Sequence, residues 1–251
     1  MKNVFLKIFA FCVVCGVNIV AVSAQNVIKI AAAANLRYSL GEIEKVYESK
    51  FKGVDLQINY GASGTFYQQI VNGAPYDIFL SADDILPDKL KAAGITDAKS
   101  HIYACGKLAL YGLRSDVGEK GFKLLEQPNV GRISVANPRT APYGTRSVEL
   151  LKALGLWSNV EKQIVYGDSI AQAAQFAMTG NCALGFVALS LLLNPETKLK
   201  GSYYIIPESM YSPIAQSGIV LKKGTAEKFF EFILSPECKA IWDKYGYSTA
   251  K

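Results

Sequence analysis

The sequence predicts an α/β fold with mostly parallel sheets covered by helices on both faces. Three observations lead there: short apolar, β-branched strand segments alternate with amphipathic helical segments along the chain; several of those strands end in small-residue turns that open a helix; and no repeat or low-complexity segment interrupts the pattern. The clearest example is Asn59–Asp84, NYGASGTFYQQIVNGAPYDIFLSADD. Val54–Ile58 alternates as a strand and runs into Gly61-Ala62-Ser63-Gly64. Phe66, Ile70 and Val71 then share one face of a short helix, which Gly73-Ala74-Pro75 stops. Asp77–Leu80 follows as a buried strand. A strand that ends in a flexible turn before a helix start leaves free N–H groups and the positive dipole end pointing outward, which suits an anion. Ser63 is either a ligand donor or a helix cap.

The same unit recurs. Val27–Ile30 is a short strand that passes through Ala31–Ala34 to Asn35, and Leu36, Leu40, Ile43 and Tyr47 stripe the helix that follows, ending near Phe51. Asn35 reads as a cap or a binding group. Pro87–Ala93 is a short helix closed by Gly94, Lys107–Tyr111 an apolar strand, and Arg114–Gln127 polar enough to lie on the surface. Ile133–Ala136 is a strand ending in the Pro-bracketed loop Asn137–Thr145, before a helix striped by Val148, Leu151 and Leu154. Gln163–Tyr166 precedes Gly167-Asp168-Ser169-Ile170, which opens a helix to about Thr179. Leu184–Ala188, Tyr203–Ile206 and Gln216–Leu221 are the remaining strands, and helices over Thr225–Leu234 and from Pro236 close the chain. Four helix starts, near Asn35, Ser63, Tyr143–Thr145 and Ser169, thus follow strand ends, where open α/β sheets bind ligands.

Residues 1–24 hold Lys2, Lys7, an apolar run and Val22-Ser23-Ala24, the pattern of a cleaved export signal; Val14 before Cys15 argues against lipoprotein tethering. Removing them leaves 227 residues at a formal charge of +4, enough for one large domain or two smaller ones. The scattered lysines do not form a nucleic-acid surface. His101 is the sole histidine and the cysteines are widely spaced, so no metal-ligand grouping is present. Cys105, Cys182 and Cys238 are odd in number; a Cys105–Cys182 disulfide is one option. Arg37, Arg139 and Arg146 either steer an anion inward or sit solvated on the surface. Asp83 and Asp84 read as caps of the next helix, His101 as structural, and Tyr203, Tyr204 and Tyr211 as packing groups.

The stretches QIVNGAPYDIFLSAD within Gly64–Asp83, NPRTAPYG at Asn137–Gly144, and Asp168–Ala188 with its LGFVA strand, supported by AAAAN and GYS, resemble the periplasmic molybdate-binding proteins of ABC-type transporters over essentially the whole mature chain. That resemblance implies a two-lobed periplasmic-binding-protein fold with the ligand, molybdate or tungstate, in the cleft. It places lobe one at residues 25–105 plus 217–251 and lobe two at 106–216, crossing near Ala104–Lys107 and Pro213–Ser217. It implies oxyanion binding by Asn35, Ser63, Tyr143 and Ile170, with Ala34, Ser169 and Asp168 as additional candidates; contacts run through oxyanion oxygens, with no protein ligand on the metal. Some relatives add a tyrosine hydroxyl after the LGFVA-type strand, where this chain has Ala188. The implied protein is a monomeric periplasmic receptor with no cofactor, no catalysis and no nucleic-acid partner, serving a membrane permease. The alternatives are a sulfate or phosphate receptor, for which Asp168 would accept a phosphate proton, and an exported serine hydrolase using Ser63 or Ser169, although neither serine lies in G-x-S-x-G.

Overall fold

The computed structural model describes residues 26–196 and 198–248; the expected export signal lies outside them. From the amino end, β1 (Asn26–Ala33) passes through a 3-10 turn (Ala34–Leu36) into α1 (Arg37–Lys50), β2 (Val54–Gly61) leads into α2 (Ser63–Val71), and β3 (Ile78–Leu80) precedes α3 (Ile85–Ala92). The strands β4 (His101–Gly106) and β5 (Leu108–Gly112) are separated by one residue, and α4 (Val117–Lys120) follows. Then come β6 (Ile133–Ala136), α5 (Pro142–Ala153), α6 (Trp157–Val160), β7 (Ile164–Gly167), α7 (Ile170–Met178), β8 (Leu184–Ala188), α8 (Leu189–Leu192) and β9 (Ser202–Ile205). The chain returns through β10 (Ile214–Val220) and closes with α9 (Thr225–Ile233) and α10 (Pro236–Lys244).

These strands form two five-stranded sheets, ordered β2-β1-β3-β10-β4 and β7-β6-β8-β5-β9. Each is mixed. In the first, β1 pairs in parallel with β2 and β3, while β10 runs antiparallel to β3 and β4. In the second, β6 is parallel to β7 and β8, and β5 antiparallel to β8 and β9. The α/β expectation holds, with the antiparallel half of each sheet made by the strands flanking the passages between sheets. The chain crosses from the first sheet to the second between β4 and β5, and back before β10.

Register is what positions the site. Parallel pairing of β1 with β2 runs from Asn26 opposite Val54 to Ala33 opposite Gly61, so both strands end level and Ala34-Asn35 and Ala62-Ser63 leave the sheet side by side. In the second sheet Ala136 lies opposite Gly167, which brings the starts of α5 and α7 together in the same way. The helices are held down by apolar stripes: Leu40, Ile43 and Tyr47 of α1 are buried, and Tyr47 meets Phe229 edge-on at 4.9 Å. Full burial of such side chains contributes about 1.5–3 kcal/mol each.

Several details differ from the sequence expectation. Phe66 and Ile70 face the core, but Val71 is 42% exposed because it falls at the last position of α2 and turns outward. Residues 114–127 are not simply surface: Val117, Leu124 and Leu125 are buried, as a short helix and a 3-10 turn fold their few apolar groups under the polar ones. Cys105, Cys182 and Cys238 are all free thiols, so the Cys105–Cys182 bridge is absent; Cys105 sits in the first sheet, and Cys182 is buried before β8 of the second. No described helix is long and apolar enough to cross a membrane.

Gly144 lets α5 begin directly against the end of β6. A Cβ there would overlap the Ala136 carbonyl oxygen and lie 2.7 Å from its carbon. Gly144→Ala is expected to lose about 1–3 kcal/mol of stability through overpacking, read by urea denaturation; an unchanged midpoint would mean that α5 starts elsewhere.

Candidate functional site

The starts of α2, α5 and α7, with the turn after β1, converge on a small cavity between the sheets. Its lining comes from Ala33, Ala34, Asn35, Gly61, Ala62, Ser63 and Ala82 on one side, and from Ala141, Pro142, Tyr143 and Ile170 on the other, around a tight space with about 10 Å³ of room for the centre of a water molecule. The structure therefore brings Asn35, Ser63, Tyr143, Ile170 and Ala34 to one place. No lining side chain carries a charge. As residues of a first helical turn, Ser63, Tyr143 and Ile170 have backbone N–H groups without an intrahelical acceptor, and none of the described residues accepts from them.

Each polar side chain has a defined role. Ser63, 1% exposed, is the first residue of α2 rather than its cap, and its Oγ accepts from Ala82 N at 3.0 Å, tying the turn after β2 to the turn after β3. Its hydroxyl proton remains free for the cavity, and no histidine is beside it to act as a base: His101 is exposed at the start of β4, its ring 6.1 Å from Phe230. Asn35 does not cap a helix either. It is fully buried, with Nδ2 donating to Gln216 Oε1 at 2.9 Å and to Tyr247 Oη at 2.8 Å, while its backbone oxygen accepts from Ser190 Oγ and Tyr247 Oη.

Ser169 and Asp168 lie apart from this cavity. Ser169 Oγ accepts from Gln172 N at 3.3 Å and caps α7, which fixes the start of that helix; Asp168 is exposed, with its backbone N–H on Gln172 Oε1. A serine one residue before the first helical position reaches the third N–H, so Ser169, not Asp168, caps α7. Ser169 instead borders a broad, open groove of about 470 Å³, which Arg37 and Tyr38 also line.

The two halves touch across the cavity. Gly64 N donates to Thr140 O at 2.8 Å, and a Cβ on Gly64 would meet that oxygen at 2.9 Å, so only glycine allows this approach. Among the arginines, Arg37 stacks over the Tyr60 ring at 5.2 Å and Arg146 pairs with Glu149 at 2.9 Å. Asp83, one residue before the N-cap position, accepts from Leu86 N at 2.9 Å and so serves the start of α3, whereas Asp84 at that position makes no side-chain cap bond, against expectation; burial raises the Asp83 pKa. Tyr211 Oη accepts from Leu108 N and Tyr204 packs edge-on against Phe122, in keeping with packing roles.

Residues 28–248 match the family of bacterial extracellular solute-binding proteins. The chain belongs to that family. Among similar proteins, the molybdate-binding protein ModA of Azotobacter vinelandii is 37% identical over 238 residues, covering 92% of this chain and 94% of that one. Its namesake from Rhodobacter capsulatus is 36% identical, covering 90% of each. The solved periplasmic molybdate-binding protein of Azotobacter vinelandii superposes with a TM-score of 0.84 at 32% identity, over 89% of this chain and all of that one. The cleft of this solute-binding protein is thus lined by dipoles rather than charges, and by groups buried deeply enough to be rigid.

What the sequence did not single out is the layer behind the cavity. Gln216 Nε2 donates to Tyr143 Oη at 3.1 Å, and Tyr103 Oη donates to Ser81 O at 2.8 Å and lies 3.3 Å from Gln216 Oε1. Gln216, 0% exposed in the middle of a strand, is the only signal: a buried glutamine needs partners. Burial pushes Tyr103 and Tyr143 well above the ordinary tyrosine pKa, and Tyr247 up to about 12. Because the folded pKa is raised above the unfolded value near 10, the stability linked to these hydroxyls is intact below about pH 10 and is lost as pH rises through the folded value. Alkaline titration of tyrosinate absorbance should show these groups ionising only with unfolding; early ionisation in the folded protein would mean that water reaches the network.

Proposed function

We propose that this chain is an extracytoplasmic receptor that binds molybdate, and tungstate with it, and delivers the anion to the permease of an ABC transporter. The observation that carries this reading is the uncharged cavity in which helix starts from both sheets converge. Molybdate and tungstate are dianions near neutral pH with no proton to place, so N–H and O–H dipoles suffice to replace their hydration. Each such bond to a charged acceptor is worth roughly 1.5–3 kcal/mol. Fixed helix-start dipoles need no reorganisation when the anion arrives.

Ser63 binds through its hydroxyl, Tyr143 and Ile170 through backbone N–H groups, and Asn35 through its amide, with Ala34 adjoining. Ser169 acts by capping α7, and Asp168 stays off the ligand. The lobes are residues 25–105 with 217–251, and 106–216; they close by hinge motion through the crossings at 104–107 and 213–217. The receptor acts as a monomer, performs no chemistry and binds no nucleic acid. The similarity to molybdate-binding relatives supports molybdate as the ligand. Against sulfate, which also lacks a proton, selection rests on cavity size.

Calorimetric titration of the ligand-stripped protein tests the reading. Molybdate should bind at one site per chain with a Kd below about 1 µM, and sulfate and phosphate far more weakly. Tight phosphate binding with weak molybdate would overturn the specificity, and silence from all three would overturn the site. Ser63→Ala should weaken molybdate about tenfold or more. It also strands the Ala82 N–H, so its thermal melting is measured alongside; an unchanged Kd would remove Ser63 from the site.

A further inference from the structure

Behind the cavity the polar groups do not close on themselves. With Asn35 Nδ2 committed to Gln216 Oε1 and Tyr247 Oη, Asn35 Oδ1 is left fully buried without a hydrogen-bond partner. Native interiors rarely leave such an acceptor standing. Gln216 Nε2 donates to Tyr143 Oη, and among the described residues none accepts the Tyr143 proton in return. Two defects therefore sit at the two ends of one chain of amides and hydroxyls.

Half a turn of both amides repairs both defects. Gln216 Nε2 then donates to Asn35 Oδ1 across the 2.9 Å contact, and Gln216 Oε1 accepts the proton of Tyr143 across 3.1 Å. Tyr247 Oη donates to the same Asn35 oxygen across 2.8 Å by moving its one proton from Asn35 O, which keeps its bond from Ser190 Oγ. The second N–H of Gln216 meets Tyr103 Oη, which keeps its bond to Ser81 O. Asn35 cannot turn alone, because Oδ1 would then oppose Gln216 Oε1, acceptor against acceptor. The paired rotation also puts Asn35 Nδ2 in the place of the orphaned Oδ1, on a residue that lines the cavity, and its hydrogens there require an acceptor. An anion supplies one.

We propose that Asn35 and Gln216 form a coupled amide pair in which Gln216 is a positioning residue, setting whether Asn35 presents an acceptor or a donor to the cavity. The proposal rests on the oxyanion-receptor reading above. It also ties the cavity to the arrangement of the two sheets, because Tyr143 belongs to the helix after β6 of one sheet and Gln216 to β10 of the other. Their bond lies over the crossing between sheets: a methyl on Gly106 would overlap both Tyr143 Oη and Gln216 Nε2. The register of β10 against β4 shifts between Gln216, opposite Ala104, and Ser217, opposite Ile102, which leaves Tyr103 of β4 unpaired in the ladder and 3.3 Å from Gln216 Oε1 through its hydroxyl. When the sheets draw apart, Gln216 loses its Tyr143 partner, which donates to it in one amide orientation and accepts from it in the other.

The test uses the full mature chain with uniformly labelled nitrogen. In the ligand-free wild type, nuclear Overhauser contacts from the Asn35 side-chain amide protons should run to Tyr247; on saturation with molybdate they should move to Ser63 and Ile170. Gln216→Met, which keeps the volume and removes both hydrogen-bonding functions, should bind molybdate about tenfold or more weakly and keep its Asn35–Tyr247 contacts in the saturated state. Molybdate binding by the wild type with the Tyr247 contacts unchanged overturns the amide pair and leaves the receptor reading intact, and so does an unchanged Kd in a folded Gln216→Met. Failure of the wild type to bind molybdate overturns the receptor reading, and the amide pair with it. If Gln216→Met fails to fold, the wild-type contacts alone decide.

Discussion

The parallel pairing that sets Ala33 level with Gly61, and Ala136 level with Gly167, is the constraint on which the rest of the structure depends. Were β1 and β2 one residue out of step, the following turns would emerge at different heights, and side chains meant for the core would face the wrong side. Because both pairs end flush, helix starts from each sheet can face one another across a gap narrow enough for Gly64 N to reach Thr140 O at 2.8 Å. Small residues make that gap usable. Ala33, Ala34, Ala62, Ala82 and Ala141 keep side chains out of it, and Gly144 lets α5 start close to its strand.

Electrostatically, the cavity takes an unusual route for the doubly charged ligand proposed for it. A buried cation would neutralise the anion but would itself be costly to bury when the site is vacated. Neutral donors avoid that problem, since their own desolvation is modest and helix geometry already aims them. The tyrosines behind the wall fit the same logic: phenol hydroxyls are neutral across the neutral range, and burial of Tyr103, Tyr143 and Tyr247 extends that neutrality to higher pH. Positive charge is kept outside, as with Arg37 over Tyr60.

Much of this was legible in the chain. Strand-turn-helix units are local, written in runs such as Ile133–Ala136 before Pro142 and Leu184–Ala188, whose bounds agree with the sequence reading, and the residues at their junctions, Asn35, Ser63, Tyr143 and Ile170, do meet at one cavity. What was not legible is non-local. That Ser63 would bond to Ala82 rather than cap α2 depends on how β3 packs beside β1, and that Gln216 would join Asn35 to Tyr143 depends on a strand returning from far along the chain. Local composition misled where it was polar throughout: Val117, Leu124 and Leu125 are sparse apolar residues, yet enough to fold residues 114–127 inward.

The hydroxyl of Tyr247 touches Asn35, a partner 212 positions earlier, and β10, which carries Gln216, is also contributed late. A chain growing from its amino end holds every residue that lines the cavity well before it holds the two that orient Asn35. Loop closure over such a separation comes late and slowly in folding. A partly made or partly folded chain therefore has the walls of the cavity without its polarity, and the arrangement proposed to capture an anion is completed only late in the growth of the nascent protein.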